Sequence, residues 1–144
     1  TTAVVVLDDP DTGPNMSYHR LMKLDGRSFS TRLIENRGAH TAHLKNLEKG
    51  VDTPISICIG NSVEVQVAGA LSLPQDVDEL AVANTMAGMG DRPWELKTVQ
   101  CLTNDLWVPS DTQIVLEGRI TSRKTAEGPF LDLTGTYDLD DSSR

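Results

Sequence analysis

Apolar residues in this chain come in short blocks divided by turn formers, and the period changes from block to block. Residues 3–7, Ala-Val-Val-Val-Leu, are continuous and β-branched, the pattern of a buried strand. The next seven, Asp8-Asp9-Pro10-Asp11-Thr12-Gly13-Pro14, are dense in turn formers. Strands are predicted over 15–23 and 29–34, joined by a hairpin signal at Asp25-Gly26-Arg27. A helix is predicted over 39–50, with Ala42, Leu44 and Leu47 apolar and Gly50 as its stop. Residues 54–60 form a strand. Residues 62–71 read as a short helix, although their valines suit a strand as well. A further helix covers 77–89, with Asp78 and Glu79 favouring its first turn and Gly88 weakening its end. Strands over 94–101, 113–121 and 131–137 complete the set, and 138–144 is a polar tail that frays.

The strands cluster in hairpins instead of alternating with helices. That pattern predicts an α+β, mainly β fold, a barrel with flanking helices, over a doubly wound sheet. One domain over 1–137 is expected, followed by the tail, with Cys58 and residues 114–116 in or near the core. The length, 144 residues, suits a single domain that needs no disulfide or metal to fold.

Charge and composition narrow the partners. The net charge is −8, and no basic cluster is longer than Ser122-Arg123-Lys124. Nucleic acid and anionic membrane are therefore poor partners, and aromatics at 4% offer little for base stacking. An anionic ligand would have to be held by a few placed arginines. Cys58 and Cys101 match no zinc spacing and read as reduced thiols of a cytoplasmic protein. No apolar run reaches membrane-spanning length, and the opening Thr-Thr-Ala has neither a signal-peptide pattern nor an initiator Met, as expected of a fragment or processed chain.

Three short segments carry candidate chemistry, each with an ordinary reading beside it. In Asn15-Met16-Ser17-Tyr18-His19-Arg20, strand alternation points Tyr18 and Arg20 one way and His19 the other. An Arg there can hold a phosphate or carboxylate bidentately, or simply be solvated. In Glu127-Gly128-Pro129-Phe130-Leu131-Asp132, two acids flank a Gly-Pro turn; brought together they share a proton, and apart they are an exposed acidic turn. Asp78-Glu79 caps a helix by default, but with an oxygen from Asn15 it would suit magnesium or manganese. His19, His40 and His43 form no zinc signature and read as solvated or capping histidines.

Order and combination change those odds. The series Asn15 to Arg20, Arg32 to Gly38, Leu73 to Leu80, Asn104 to Pro109, Ile114 to Gly118 and Glu127 to Gly135 resembles the middle domain of UbiD-type decarboxylases over nearly the whole chain. The resemblance implies a split β-barrel of the flavin-reductase-like type. It implies prenylated FMN as cofactor, held with manganese or magnesium and often potassium, and covalent catalysis in which the cofactor is the electron sink. By the same resemblance, Asn15 and Glu79 match metal ligands that bridge to the flavin phosphate. Tyr18, His19 and Arg20 match one flavin-contacting segment, and Arg32, Leu33, Ile34, Arg37 and Gly38 a second. Arg20, Glu127 and Asp132 match a catalytic trio of one arginine and two acids. The implied substrate is an aromatic or α,β-unsaturated carboxylic acid. The implied partners are the remaining domains or subunits of an oligomeric enzyme and a flavin prenyltransferase that supplies the cofactor.

The chain departs from the pattern at Asn36, where many relatives carry a metal-binding His, with His40 as a nearby substitute. It departs again at Leu131, which stands where Gly is usual. The alternative reading is a non-catalytic flavin- or metal-binding module that needs partner chains; a degenerate structural domain is disfavoured by Arg20, Glu127 and Asp132.

Overall fold

The computed structural model describes residues 2–74, 77–91 and 93–126, with the backbone of two further short strands. Strand β1 (Thr2–Asp9) is the centre of an antiparallel sheet. Its other members are β2 (Gly13–Lys23), β3 (Phe29–Thr31), β4 (Thr53–Ile59) and β7 (Ile114–Ile120), in the order β3-β2-β1-β4-β7. The sheet curls into a half-barrel flanked by three helices, α1 (Gly38–Glu48), α2 (Val63–Ala70) and α3 (Glu79–Gly88). Two small pairs, β5 (Thr98–Gln100) with β6 (Trp107–Pro109) and β8 (Phe130–Leu131) with β9 (Tyr137–Asp138), form separate two-stranded sheets.

The β-branched run of β1 earns its central place because both of its faces are covered. Val4 and Val6 pack with Met16, Cys58, Val65, Ala68 and Ala83 beneath α2 and α3. Ala3, Val5 and Leu7 pack with Leu21, Ile55, Ile57, Ala39 and Ala42 beneath α1. Fully burying one such aliphatic side chain contributes about 1.5–3 kcal/mol, so these two clusters hold the sheet and fix its register. At the end of β4, Gly60 adopts φ +80 and turns the chain into α2, a backbone conformation open to glycine.

Several elements differ from the sequence expectation. Residues 32–34 leave the sheet, because β3 pairs only Phe29, Ser30 and Thr31 with β2. Residues 94–97 are not strand: Trp94 N–H donates to Ala87 O at 3.1 Å and Leu96 N–H to Asn84 Oδ1 at 2.8 Å, tying this stretch to α3. Strand β6 was not expected. In α1 the buried stripe is Ala39, Ala42, His43 and Asn46, while Leu44 is exposed. His43 is thus neither solvated nor a cap: His43 Nδ1 lies 2.9 Å from Thr53 Oγ1, and Asn46 Nδ2 donates to the same oxygen at 3.2 Å. Cys58 lies in the core as expected, and Val115 packs against it. Ile114 and Leu116 do not; they are 54% and 38% exposed, because β7 is the sheet's last strand and α1 does not reach that end of its face. The expected strand over 131–137 is described only at its ends, and residues 139–144 of the expected tail lie outside the described residues. No helix among the described residues is long and apolar enough to cross a membrane.

Candidate functional site

Because β3 is short, it covers only Leu21, Met22 and Lys23 of β2, and, among the described residues, 13–20 pair with a strand on the β1 side alone. A cavity of about 830 Å³ opens along that free edge. Its walls come from β2, the loop 32–37, the start of α1, the α2–α3 connection and the start of α3. The β1–β2 register places Tyr18 and Arg20 opposite Val4 and Thr2, on the α2/α3 face. Asn15 and His19 stand opposite Leu7 and Ala3, on the α1 face. The cavity wraps the edge and so receives side chains from both faces.

Of the expected site residues, Asn15, Tyr18, His19, Arg20, Arg32, Ile34, Arg37, Gly38 and Glu79 all line this one cavity. Leu33 does not; its side chain packs against the α1-side core. Glu127 and Asp132 lie outside the described residues. Residues 69–74 form a wall that was not assigned a site role, although Leu73-Pro74 was part of the motif series.

The groups facing the cavity are of two kinds. Anion-binding groups gather on the α1 side. Helix α1 has no side-chain hydrogen bond at its N-cap, Arg37, and no acid in its first turn. Its first backbone N–H groups and the positive end of its dipole therefore stand open beside Arg32 and Arg37. Cation-binding oxygens sit next to them. Asn15 Oδ1 is buried without a hydrogen-bond partner among the described residues. Glu79 is 8% exposed, and its Oε2 accepts from Met16 N–H at 3.1 Å, using the free edge of β2. Burial pushes the Glu79 carboxyl above its ordinary range, an unfavourable state that a bound cation would relieve. Gly38 is required for this arrangement, since a Cβ there would fall 2.9 Å from Asn15 Cγ. Such an anion pocket beside an unpartnered amide oxygen and a buried carboxylate fits a phosphate bridged to a divalent cation. Among the described residues, no group of three or more His, Cys, Asp and Glu stands close enough to hold a metal ion.

The remaining contacts position side chains. His19 Nε2 lies 2.9 Å from Ser17 Oγ. Burial lowers the His19 pKa, against a hydrogen bond to the Arg32 backbone that raises it, so the ring is neutral at pH 7. Tyr18 hydroxyl donates to Gln66 Oε1 at 3.5 Å, linking β2 to α2. Thr31 Oγ1 donates to Arg20 O at 2.9 Å, which fixes where the loop 32–37 leaves the sheet. Cys58 is no nucleophile: burial pushes its thiol up to about 11.

Comparison with known proteins agrees with this geometry. The family model described as the 3-octaprenyl-4-hydroxybenzoate carboxy-lyase Rift-related domain matches residues 1–143. An anhydromevalonate phosphate decarboxylase of Methanothermobacter thermautotrophicus is 40% identical over 141 residues, which cover 96% of this chain and 32% of that protein. The UbiD-class enzyme HmfF from Pelotomaculum thermopropionicum in complex with FMN superposes with a TM-score of 0.83 at 30% identity, over 94% of this chain and 30% of that one. An evolved dimeric form of the same enzyme, in complex with prenylated FMN, also superposes with a TM-score of 0.83 at 30% identity, over 94% of this chain and 31% of that one. The chain thus spans about a third of the length of the relatives it matches. It belongs to the UbiD family of carboxy-lyases.

Proposed function

We propose that this chain is the cofactor-binding domain of a decarboxylase that uses prenylated FMN on a small unsaturated carboxylic acid. The observation that carries the reading is the cavity on the free edge of β2, where arginines, an uncapped helix start and two hard oxygen donors meet. Arg37 and the first N–H groups of α1 would hold the cofactor phosphate. Asn15 and Glu79 would hold a magnesium or manganese ion beside it. His40 lies in the same cavity and would take the place of the His that Asn36 replaces. When bound, the cofactor supplies an electron sink for the pair left behind as carbon dioxide departs.

The chain's own residues do the rest. Arg20 would grip the substrate carboxylate with its planar fork. Glu127 and Asp132 would share and return one proton, as two acids beside an arginine can. His19, neutral and fixed by Ser17 and the Arg32 backbone, would orient the loop 32–37 against the flavin. Of the two substrate classes expected, the unsaturated acid is favoured over the aromatic one. The 40% identical relative is named for anhydromevalonate phosphate, a dehydrated and phosphorylated acid.

The test uses the full-length enzyme coexpressed with a flavin prenyltransferase. Carbon dioxide release from an unsaturated acid is expected. Asp132→Asn should abolish it while the bound-flavin absorbance persists, since the amide keeps the shape but cannot cycle a proton. Full activity in Asp132→Asn, or no flavin bound to the parent enzyme, would overturn the reading.

A further inference from the structure

A second cavity, of about 750 Å³, lies on the α1 side of the sheet. The end of β3 and the loop after it form one wall, α1 another, and residues 120–125 after β7 the third. The flavin reading uses Arg32, Leu33, Ile34 and His40 from its lining but puts no ligand in it. Its charge is opposite to that of the molecule. In a chain of net charge −8, Arg32, Arg123 and Lys124 all line this space, against one carboxylate, Glu35. The basic Ser122-Arg123-Lys124 run, which stood out in the sequence, therefore serves as one side of a pocket. Asp25 lies within electrostatic reach of Arg123 but is not part of the lining. Ser30 stands at the same wall, and Thr31, which carries a hydroxyl and shares the α1-side face with Leu21, lines it too. Leu33, Leu47 and Ile120 supply an apolar floor.

Position adds to chemistry. Arg32, Ile34 and His40 line both cavities, so the two spaces adjoin across a common wall. The third wall ends at Thr125, two residues before Glu127, the proposed acid. A group held here would sit beside the flavin site without occupying it.

We infer that this second cavity binds a phosphate monoester group, presented by Arg32 on one wall and Arg123 and Lys124 on another. A phosphate fits better than a lone carboxylate. It carries up to two charges and three acceptor oxygens, and can meet cations and hydroxyls on separate walls at once. The inference rests on the flavin reading for its biological setting but not for its binding chemistry.

The experiment keeps the two apart. The chain is first saturated with FMN, which fills the first cavity, and inorganic phosphate or methyl phosphate is then titrated while backbone amide shifts are followed by NMR. Shifts are expected at residues 30–35 and 121–125. The Arg123→Glu/Lys124→Glu variant should weaken phosphate binding by roughly tenfold or more and leave FMN affinity unchanged. Phosphate affinity unchanged in that variant, or shifts confined to residues of the first cavity, would overturn the inference. Should the double variant fold poorly, Arg123→Gln and Lys124→Gln singly give the same readout. Failure of FMN to bind would count against the flavin reading alone. In the full-length enzyme, a loss of kcat/KM confined to phosphorylated unsaturated acids identifies the phosphate as the substrate's own. Phosphate binding that leaves kcat/KM for those acids unchanged identifies a separate phosphorylated ligand.

Discussion

Gly38 has no Cβ, and Asn15 fills the space that one would need. The close approach links the start of α1 to the amide whose oxygen has no hydrogen-bond partner among the described residues. Gly38→Ala should therefore push the Asn15 side chain out of place without unfolding the chain, because alanine suits a helix start. The expected result is a fall in manganese affinity of roughly 10–100-fold, the scale of a misdirected ligand. Paramagnetic resonance of bound manganese would read it, with circular dichroism as the fold control. Normal manganese binding in the variant would argue that Asn15 is not a ligand. A second residue-scale prediction concerns His43. Burial, more than the neighbouring charge of His40, holds its pKa below the ordinary value of 6.5. The unfolded chain then binds more protons between the folded pKa and 6.5, so stability is complete above 6.5 and declines as pH falls through the folded value. His19 is shifted in the same direction and adds to the decline. His43→Asn can still reach Thr53 but cannot titrate. Its urea-unfolding free energy should fall less between pH 7 and pH 5 than that of the parent chain. An equal slope in both proteins would show that His43 does not set the acid side.

At the scale of elements, two glycines of the β4–α2 unit, one at its turn and one inside its helix, should respond in opposite directions to the same change. A Cβ on Gly69, inside α2, would meet Val4 Cγ2 at 3.6 Å and Met16 Cγ at 3.9 Å, ordinary contacts. Gly69→Ala should stabilise the chain by about 0.5–1 kcal/mol through helix propensity and reduced unfolded-state entropy. Gly60 combines φ +80 with a Cβ position 2.7 Å from the Gln113 side chain, so Gly60→Ala should destabilise it. Chemical denaturation of both variants would check the pair, and the same sign for both would contradict the packing described. The elements themselves were legible where one local signal dominated. The apolar run of β1 and the alternation in β4 left little choice, and α2 formed in spite of its valines because Val65 and Ala68 find the core. The errors have tertiary causes. Leu33 and Ile34 looked like a strand continuing from Phe29, but Leu33 turns to the core while Ile34, 62% exposed, faces both cavities. The face that α1 buries is chosen by Thr53, whose buried hydroxyl recruits His43 and Asn46, and no periodicity could show a partner ten residues away. The site was legible as motif residues, but not the reason they meet, which is the short β3 that leaves the edge of β2 uncovered among the described residues.

For the molecule as a whole, charge sets a test that local geometry must pass. A chain of net charge −8 repels a phosphate-bearing ligand at long range, so any preference for phosphate must come from groups in contact with it. Arg32, Arg37 and the uncapped start of α1 are the contacts on the α1 side of the first cavity, with Arg20 on its other side. Riboflavin and FMN differ only in the phosphate, and their affinities therefore isolate this contribution. FMN should bind the chain more tightly than riboflavin by roughly tenfold or more, despite the unfavourable net charge. Salt should act through two opposing effects, screening both the long-range repulsion and the local attraction. The local groups are partly enclosed and are screened less, so FMN affinity should change only weakly between low and physiological salt. Magnesium or manganese should widen the FMN preference, because under the proposed reading a cation held by Asn15 and Glu79 would bridge to the phosphate and would have no such bridge to riboflavin. Arg37→Ala should narrow it. Fluorescence quenching titrations of both flavins, with and without the cation, measure all of these quantities on one sample. Equal affinity for riboflavin and FMN would mean that the phosphate is not held where α1 begins. The cavity would then have to receive the flavin in another orientation, and the carboxylate-gripping role proposed for Arg20 would fall with it.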